Sequence, residues 1–232
     1  MNYKFIICNW KMNCDQEYFN QINSILSNYT IKKEYKLIIC PPLTLLNQEN
    51  IINFEIGAQN CASEEFGSYT GEVSARMISQ SNARYVIIGH SERRKYFNEK
   101  PELILKKMDQ VMDNNLTPIV CVKRFYEDKE YIKNLIFNFI SNVKTKNLLI
   151  AYEPEESIGS GIPDNLYSIQ ENIESIKDIY RNHNLNDKNI FVIYGGSVDK
   201  NNIKEIISIS DGVLIGKASI NLEQFIQIIK II

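Results

Sequence analysis

The sequence has almost no net charge, no long apolar run and no C-x-x-C pair. Its 26 Lys and Arg nearly balance 28 Asp and Glu, for a formal charge of −2. The absence of a broad basic surface argues against nucleic acid as the main partner, although a local site for a small anionic ligand remains open. No run approaches the roughly 18 apolar residues of a membrane helix, and Phe5-Ile6-Ile7-Cys8 is too short for a signal core. We therefore expect no membrane span and no secretion, with the mature chain beginning at Met1.

The cysteines and the absence of metal and cofactor motifs further limit the class of protein that this chain can be. The 5 cysteines are an odd number spread over 232 residues, which is not typical of a disulfide framework and favours a reducing cytoplasm. No metal-ligand or cofactor motif is visible, so we expect neither a metal nor a cofactor. The chain also lacks a Pro-, Gly- or Ser-rich linker, and its length suffices for one substantial core. We expect a single domain over residues 1–232.

Short apolar runs recur along the chain, and helical patterns separate them. Several runs are apolar at every position, as expected of strands covered on both faces of a parallel sheet. Stretches 102–108 and 169–176 carry apolar residues near i, i+3, i+4 and i+7, which indicates helices outside that sheet. About eight such units close into an α/β fold, the (β/α)8 barrel. An open doubly wound sheet is the alternative, but Asn9-Trp10-Lys11 follows the first strand where that fold has G-x-G-x-x-G. The predicted strands are Phe5–Cys8, Leu37–Cys40, Phe54–Gly57, Tyr85–Ile88, Pro118–Val122, Leu148–Tyr152, Ile190–Tyr194 and Val213–Ile215.

Polar residues directly follow several of the predicted strands. Glu153 ends the sixth run just before the glycine-containing segment 158–161, and a carboxylate beside a closable flap suggests proton abstraction. The glutamate of a lone Glu-Pro is more often a solvated carboxylate than a catalytic one. Only its occurrence together with the other motifs favours the catalytic interpretation. Because the carboxyl ends of barrel strands form one rim, residues after different strands should meet in one pocket. The residues expected on this rim are Asn9, Lys11, His90, Glu153, Ser197 and Gly216.

His90 and Lys11 are the candidates for acting on a substrate oxygen. If Ser91 caps the turn after His90, helix-end amides disfavour the cationic imidazole, and a neutral ring can donate a hydrogen bond to a carbonyl. The alternative is a core histidine satisfied by a backbone group. Lys11 follows a buried strand and needs an anion nearby, which a substrate oxyanion helped by Glu92 would supply. The alternative is a surface lysine. The other histidine, His183, lies in a polar stretch and is expected on the surface.

Two glycine-containing loops late in the chain suggest a phosphate site. Gly195-Gly196-Ser197 and Gly216-Lys217-Ala218 can present backbone N–H groups to a phosphate, and the helices that follow add favourable potential. Such glycines also occur simply as turn residues. Their position after the last two predicted strands favours phosphate binding.

Together these motifs resemble the triosephosphate isomerase family, nearly end to end. The resemblance implies a closed TIM barrel of eight parallel strands. The implied activity is interconversion of D-glyceraldehyde 3-phosphate and dihydroxyacetone phosphate through an enediolate, in glycolysis and gluconeogenesis. Glu153 would be the general base and His90 the neutral electrophile, while Lys11 and Asn9 would stabilise the enediolate with Glu92 beside the lysine. The motifs are Asn9-Trp10-Lys11, His90-Ser91-Glu92-Arg93-Arg94, Glu153 with its flap, and Tyr194-Gly195-Gly196-Ser197-Val198.

The resemblance further implies how substrate and subunits are held. The family is typically a homodimer, in which the loop from Gln59 to Glu72 enters a pocket beside the other subunit's active site. Glu99 stands in the position that supports this loop, and Tyr69 and Thr70 belong to it. Phosphate would be bound by the N–H of Gly159 in the closed flap, by Ser197 after Gly195 and Gly196, and by the backbone of Gly216 and Lys217.

The chain departs from the family pattern around the flap and in the phosphate loop. Pro154-Glu155-Glu156-Ser157 stands where the family has Pro-Val-Trp-Ala, and Arg124 replaces the acid that normally faces the hinge tryptophan. We hypothesise that Arg124 pairs with Glu156 or Glu155 and so biases the flap between open and closed, although two unrelated exposed changes are the alternative. Lys217 replaces a glycine, so its Cβ would crowd the phosphate or require a different backbone dihedral angle.

Two other functions stay open on the sequence. Another phosphate-binding barrel, such as an isomerase or lyase acting on a larger sugar phosphate, explains the phosphate loops. It does not explain the full set of Asn9, Lys11, His90 and Glu153. A non-catalytic scaffold that kept the fold would be favoured by the loss of a reacting residue, and none is lost.

Overall fold

The computed structural model of the protein describes residues 3–141, 145–181 and 188–232, so the prediction for His183 lies outside the described residues. Eight strands form one closed barrel in chain order, with the last strand parallel to the first. Each predicted run overlaps one of these strands, which confirms the predicted barrel. The strands are β1 (Lys4–Asn9), β2 (Tyr35–Cys40), β3 (Glu55–Ala58), β4 (Ala83–Ile88), β5 (Thr117–Val122), β6 (Asn147–Tyr152), β7 (Asn189–Tyr194) and β8 (Gly212–Ile215).

Alternation along the strands gives the barrel two apolar layers. In β1, Phe5 and Ile7 belong to the cluster that fills the barrel, whereas Ile6 and Cys8 belong to the larger cluster between the strands and the helices. Because successive side chains point to opposite faces of a strand, a run that is apolar at every position supplies both layers. The continuous apolar runs of the sequence are thus the direct cause of the closed, helix-covered sheet.

Helices cover the outside of the barrel, and the two stretches predicted from periodicity lie within α4 (Pro101–Asp113) and α6 (Leu166–Arg181). Along α6, Ile169, Ile173 and Ile176 are buried on the stripe that the spacing predicts. No helix in the described ranges is both long and apolar enough to cross a bilayer. The helices described are α1 (Gln16–Ser27), α2 (Ala75–Ser79), α3 (Ser91–Phe97), α4 (Pro101–Asp113), α5 (Phe125–Ser141), α6 (Leu166–Arg181), α7 (Ile203–Ile209), α8 (Lys217–Ile220) and α9 (Leu222–Ile229), with 3-10 turns at Leu43–Leu45 and Glu155–Ser157.

Candidate active site

A cavity of about 500 Å³ lies at the carboxyl ends of the strands. Its walls come from the loops after β1, β4, β6, β7 and β8, so residues far apart in sequence share it. Glu92 is outside the lining and contacts Lys11. Every other residue predicted for proton transfer or phosphate binding lines the cavity: Asn9, Lys11, His90, Glu153, Gly159, Gly195, Gly196, Ser197, Gly216 and Lys217.

Glu153 is fully buried at the end of β6. Its Oε2 accepts a hydrogen bond from the Ser91 N–H at 3.0 Å. Its Oε1 has no hydrogen-bond partner among the described residues and lies 3.3 Å from His90 Nε2. A Cβ on Gly195 would lie 2.9 Å from Glu153 Cγ, so the absence of a side chain at Gly195 leaves room for the carboxylate. One oxygen of this carboxylate is therefore fixed, and the other is available to accept a proton.

His90, and not Ser91, is the N-cap of α3. The His90 Nδ1 accepts a hydrogen bond from the Glu92 N–H at 3.2 Å, and Ser91 is the first helical residue. The prediction that Ser91 caps this turn is wrong, because the imidazole already occupies the capping position. A ring nitrogen that accepts a backbone N–H carries no proton, so the neutral ring has its proton on Nε2. The N–H donor of His90 is thus on Nε2, the nitrogen that lies 3.3 Å from Glu153 Oε1.

Lys11 is held through both its backbone and its ammonium group. The residue has φ 54°, in the left-handed region, and its N–H donates to Asn9 Oδ1 at 3.0 Å. The Gln59 amide donates to Lys11 O and to Cys40 O, each at 2.9 Å, so Gln59 supports the Lys11 loop within its own chain. Lys11 Nζ lies 2.5 Å from Glu92 Oε1, the acid expected beside it. A non-glycine residue at positive φ is strained, and these contacts offset the strain.

The flap, residues 155–164, borders the cavity and contacts the loop after β7. Gly159 and Gly161 have φ of 70° and 79°, values that glycine adopts without a steric penalty. The Gly161 N–H donates to Ser197 Oγ at 3.1 Å, and the Ser197 hydroxyl donates to Ser157 O at 2.5 Å. Ser197, predicted for phosphate binding, therefore also joins the flap to the β7 loop.

Ion pairs flank the first turn of the flap. Arg124 Nη2 lies 3.4 Å from Glu156 Oε2, so the hypothesised pair is present, whereas Glu155 pairs with Lys123 at 2.7 Å. The hydrogen bond from Lys123 lowers the pKa of the Glu155 carboxyl group. The Glu156 and Glu155 side chains are 71% and 55% exposed, and pairs so exposed contribute little individually.

Lys217 is compatible with an ordinary backbone in the loop after β8. It is the first residue of α8, with Gly216 as the N-cap, and its φ is not positive. Lys217 therefore requires no unusual φ in this loop. The side chain is exposed and borders the cavity, where it adds a positive charge.

The segment 59–72 has an exposed tip and a fixed base. Tyr69 and Thr70 are exposed at the tip. At the base, Lys107 Nζ lies 2.9 Å from Asn60 Oδ1 and 2.5 Å from the buried Glu99 carboxylate, so Glu99 supports this segment through Lys107. An exposed aromatic tip on a fixed base is suited to contact with a second protein surface.

Comparison with known proteins identifies the family. A sequence model described as Triosephosphate isomerase matches residues 4–232. The chain belongs to the triosephosphate isomerase family. The triosephosphate isomerase of Mycoplasma mobile is 38% identical over 248 residues, which cover 99% of this chain and 100% of the relative. That of Wolbachia pipientis wMel is 39% identical over 236 residues, which cover 97% of this chain and 92% of the relative.

Within this triosephosphate isomerase fold, sequence reasoning found the polar groups of the cavity and missed those that hold the end of the flap. The Asp164 N–H donates to the Tyr194 hydroxyl at 2.9 Å, and the Tyr152 hydroxyl donates to Asp164 Oδ2 at 3.1 Å. The one available signal is that the adjacent strands β6 and β7 both end in tyrosine, whose hydroxyl needs a partner when the ring is buried.

Proposed function

We propose that the protein is an isomerase that interconverts D-glyceraldehyde 3-phosphate and dihydroxyacetone phosphate, in glycolysis and gluconeogenesis. The observation that carries the proposal is the free Glu153 Oε1, which lies 3.3 Å from Nε2 of His90. A base for a carbon-bound proton and a donor for the neighbouring oxygen are then adjacent, as an aldose–ketose conversion requires. Family membership over residues 4–232 supports the same reaction.

Glu153 is the general base of the proposed reaction. Its carboxylate removes a proton from C1 of dihydroxyacetone phosphate. The electron pair left on carbon forms the C1–C2 double bond, and the carbonyl electrons move to the oxygen on C2. The carboxylic acid then returns the proton to C2, which yields the aldehyde. The Ser91 N–H donates to Oε2 of this carboxylate, while Oε1 remains available for the substrate.

His90 and Lys11 act on the substrate oxygens. The Nε2–H of His90 donates to the carbonyl oxygen as negative charge develops there, and the ring transfers a proton between the two oxygens as the carbonyl changes position. The Lys11 ammonium places positive charge beside the enediolate. Glu92 orients that ammonium and Asn9 holds the Lys11 backbone, so both act on the same intermediate.

The phosphate group is bound by the flap and the last two loops of the barrel. Its partners are the Gly159 N–H, Ser197, and backbone N–H groups of the loops that contain Gly195, Gly196, Gly216 and Lys217. The flap also excludes water. Exclusion matters because an enediolate phosphate released early can lose inorganic phosphate.

The functional unit is a cytoplasmic homodimer of single-domain subunits, with residues 1–232 as the catalytic domain. The tip with Tyr69 and Thr70 enters the open groove of the other subunit, which includes Met12. Met12 is 97% exposed and directly follows Lys11, so insertion of the tip couples assembly to the site. Size-exclusion chromatography checks this, since an active species of monomer mass would contradict it.

The test is a coupled assay of triose phosphate interconversion with two variants of Glu153. Glu153→Gln keeps the shape and removes the base, so kcat should fall about 10²- to 10⁴-fold. Glu153→Asp withdraws the carboxylate by one methylene group and should retain part of the activity. A folded parent that converts no triose phosphate would refute the proposal and favour a scaffold. Turnover restricted to larger sugar phosphates would favour another phosphate-binding barrel.

A further inference from the structure

Arg124 contacts both ends of the flap. Its Nη2 lies 3.4 Å from Glu156 Oε2, in the first turn of the flap, and 3.4 Å from Asp164 Oδ2, the last flap residue. The guanidinium follows β5 and is therefore carried by the barrel, not by the flap. Two carboxylates eight positions apart in the chain thus share one cation that belongs to a rigid element.

The two carboxylates differ in how firmly they are held. The Asp164 side chain is 11% exposed and accepts hydrogen bonds from the Tyr152 hydroxyl at 3.1 Å and the Ser168 hydroxyl at 2.8 Å. The Glu156 side chain is 71% exposed, and Arg124 is its only ion-pair partner among the described residues. Asp164 therefore fixes the position of Arg124, and Arg124 attracts the less constrained end of the flap.

We propose that Arg124 is a positioning residue that keeps the flap against the β7 loop by joining its two ends, an inference that rests on the proposed function. Lys123 assists through its pair with Glu155. Neither of its ion-pair partners, Glu156 and Asp164, lines the cavity, so Arg124 acts on the substrate through the flap. The hinge residues differ from the family pattern. The contact between Arg124 and Glu156 is an ion pair, whereas the family pattern has an acid that faces the indole of a tryptophan.

The effect expected from this contact is modest and specific. Exposed ion pairs change equilibria by about one- to fivefold, so loss of Arg124 should open the flap about two- to fivefold more often. Each opening exposes the enediolate to water. Breakage of its C–O bond to phosphate then expels inorganic phosphate with the bonding electron pair, and the remaining enol becomes a dicarbonyl compound. The ratio of phosphate released to isomer formed should rise by the same factor.

The test combines hydrogen–deuterium exchange of the flap with that ratio, in Arg124→Gln, Glu156→Gln and the double variant. The amides to follow are those of Gly161 and Asp164, which donate to the β7 loop and strand end. Lys133→Gln is the matched control, because it removes one positive charge from an exposed pair with Glu130 on α5. Arg124→Lys keeps the charge and should restore most of the protection.

Support would be faster exchange in Arg124→Gln but not in the control, with the double variant no faster than the single one. The difference should disappear near 1 M salt, where the screening length is about 3 Å. Equal flap exchange in the parent and Arg124→Gln would overturn the proposal, as would strictly additive effects of the Arg124 and Glu156 substitutions. Exchange is measured without turnover, so an inactive parent would refute the proposed function and leave the flap contact supported.

Discussion

The substitution Gly195→Ala tests the position of the Glu153 carboxylate without changing any polar group. A Cβ at this position would lie 2.9 Å from Glu153 Cγ and 3.5 Å from Tyr152 O. Gly195 does not have a positive φ, so alanine introduces no backbone strain there. The perturbation is therefore steric and acts on one neighbour, the side chain that is proposed to remove the substrate proton.

The size of the effect follows from the contact distance. Non-bonded carbon atoms prefer separations of about 3.5–4.0 Å, so the Glu153 side chain has to move by roughly 0.6 Å or more. A displacement of about 1 Å from the reacting geometry can reduce a rate about 10²-fold. We expect kcat/KM of Gly195→Ala to fall about 10- to 100-fold, with most of the loss in kcat.

The assay is triose phosphate interconversion by Gly195→Ala, Glu153→Gln and the double variant, with thermal unfolding to verify that each folds. If alanine acts through Glu153, it should add little to the loss caused by Glu153→Gln, since the base is already absent. Gly195→Ala with more than half of the parent kcat/KM would refute the reasoning. An undiminished effect in the Glu153→Gln background would refute it equally.

Three further predictions concern other parts of the molecule. Gln59→Ala removes both hydrogen bonds of the Gln59 amide, one of which holds Lys11 O, and should lower kcat/KM about tenfold in the same assay. Gln59→Glu, which has no amide donor, should have the same effect. Nitrogen-15 NMR of His90 at pH 8 should show an unprotonated Nδ1 and a protonated Nε2, and the opposite tautomer would contradict the N-cap assignment. Burial raises the pKa of the Cys8 and Cys61 thiols from 9.0 to about 12, so the unfolded chain loses these protons first. The free energy of unfolding in denaturant should therefore be unaffected by these thiols below pH 9 and fall as pH rises toward 12, by about 1.4 kcal/mol per pH unit for each thiol.

Most of the barrel was predictable because its strands are buried on both faces. A fully apolar run such as the one predicted within β5 is suited only to a strand that is buried on both faces. The predicted boundaries differ from the structure by one residue at each end of β1 and at the start of β5. The polar residues that end these runs were predictable for the same reason. Asn9 ends β1, and His90 and Glu153 follow β4 and β6, so barrel closure alone brings them to one rim.

The contacts between loops were less predictable, because sequence spacing does not determine which loop residues meet. Arg124 was expected to pair with Glu156 or Glu155 because these residues replace an acid and a hinge tryptophan that face each other in the family pattern. The pairs of Lys123 with Glu155 and of Arg124 with Asp164 depend on the path of the flap. Ser91 was expected as the N-cap from its usual preference. The preference of the residue type was overridden because the neighbouring imidazole, a rarer capping group, accepts the Glu92 N–H and places Ser91 inside the helix.

The first two N–H groups of α3 bind the side chains of Glu153 and His90. Its first N–H, from Ser91, donates to Glu153 Oε2 at 3.0 Å, and the next, from Glu92, donates to His90 Nδ1 at 3.2 Å. The N–H groups in the first turn of a helix have no partner within the helix, so they are available to side-chain acceptors. The same short helix therefore holds one acceptor atom of each of the two side chains. Because the two side chains are bound to adjacent N–H groups, Oε1 and Nε2 lie 3.3 Å apart before any substrate is bound.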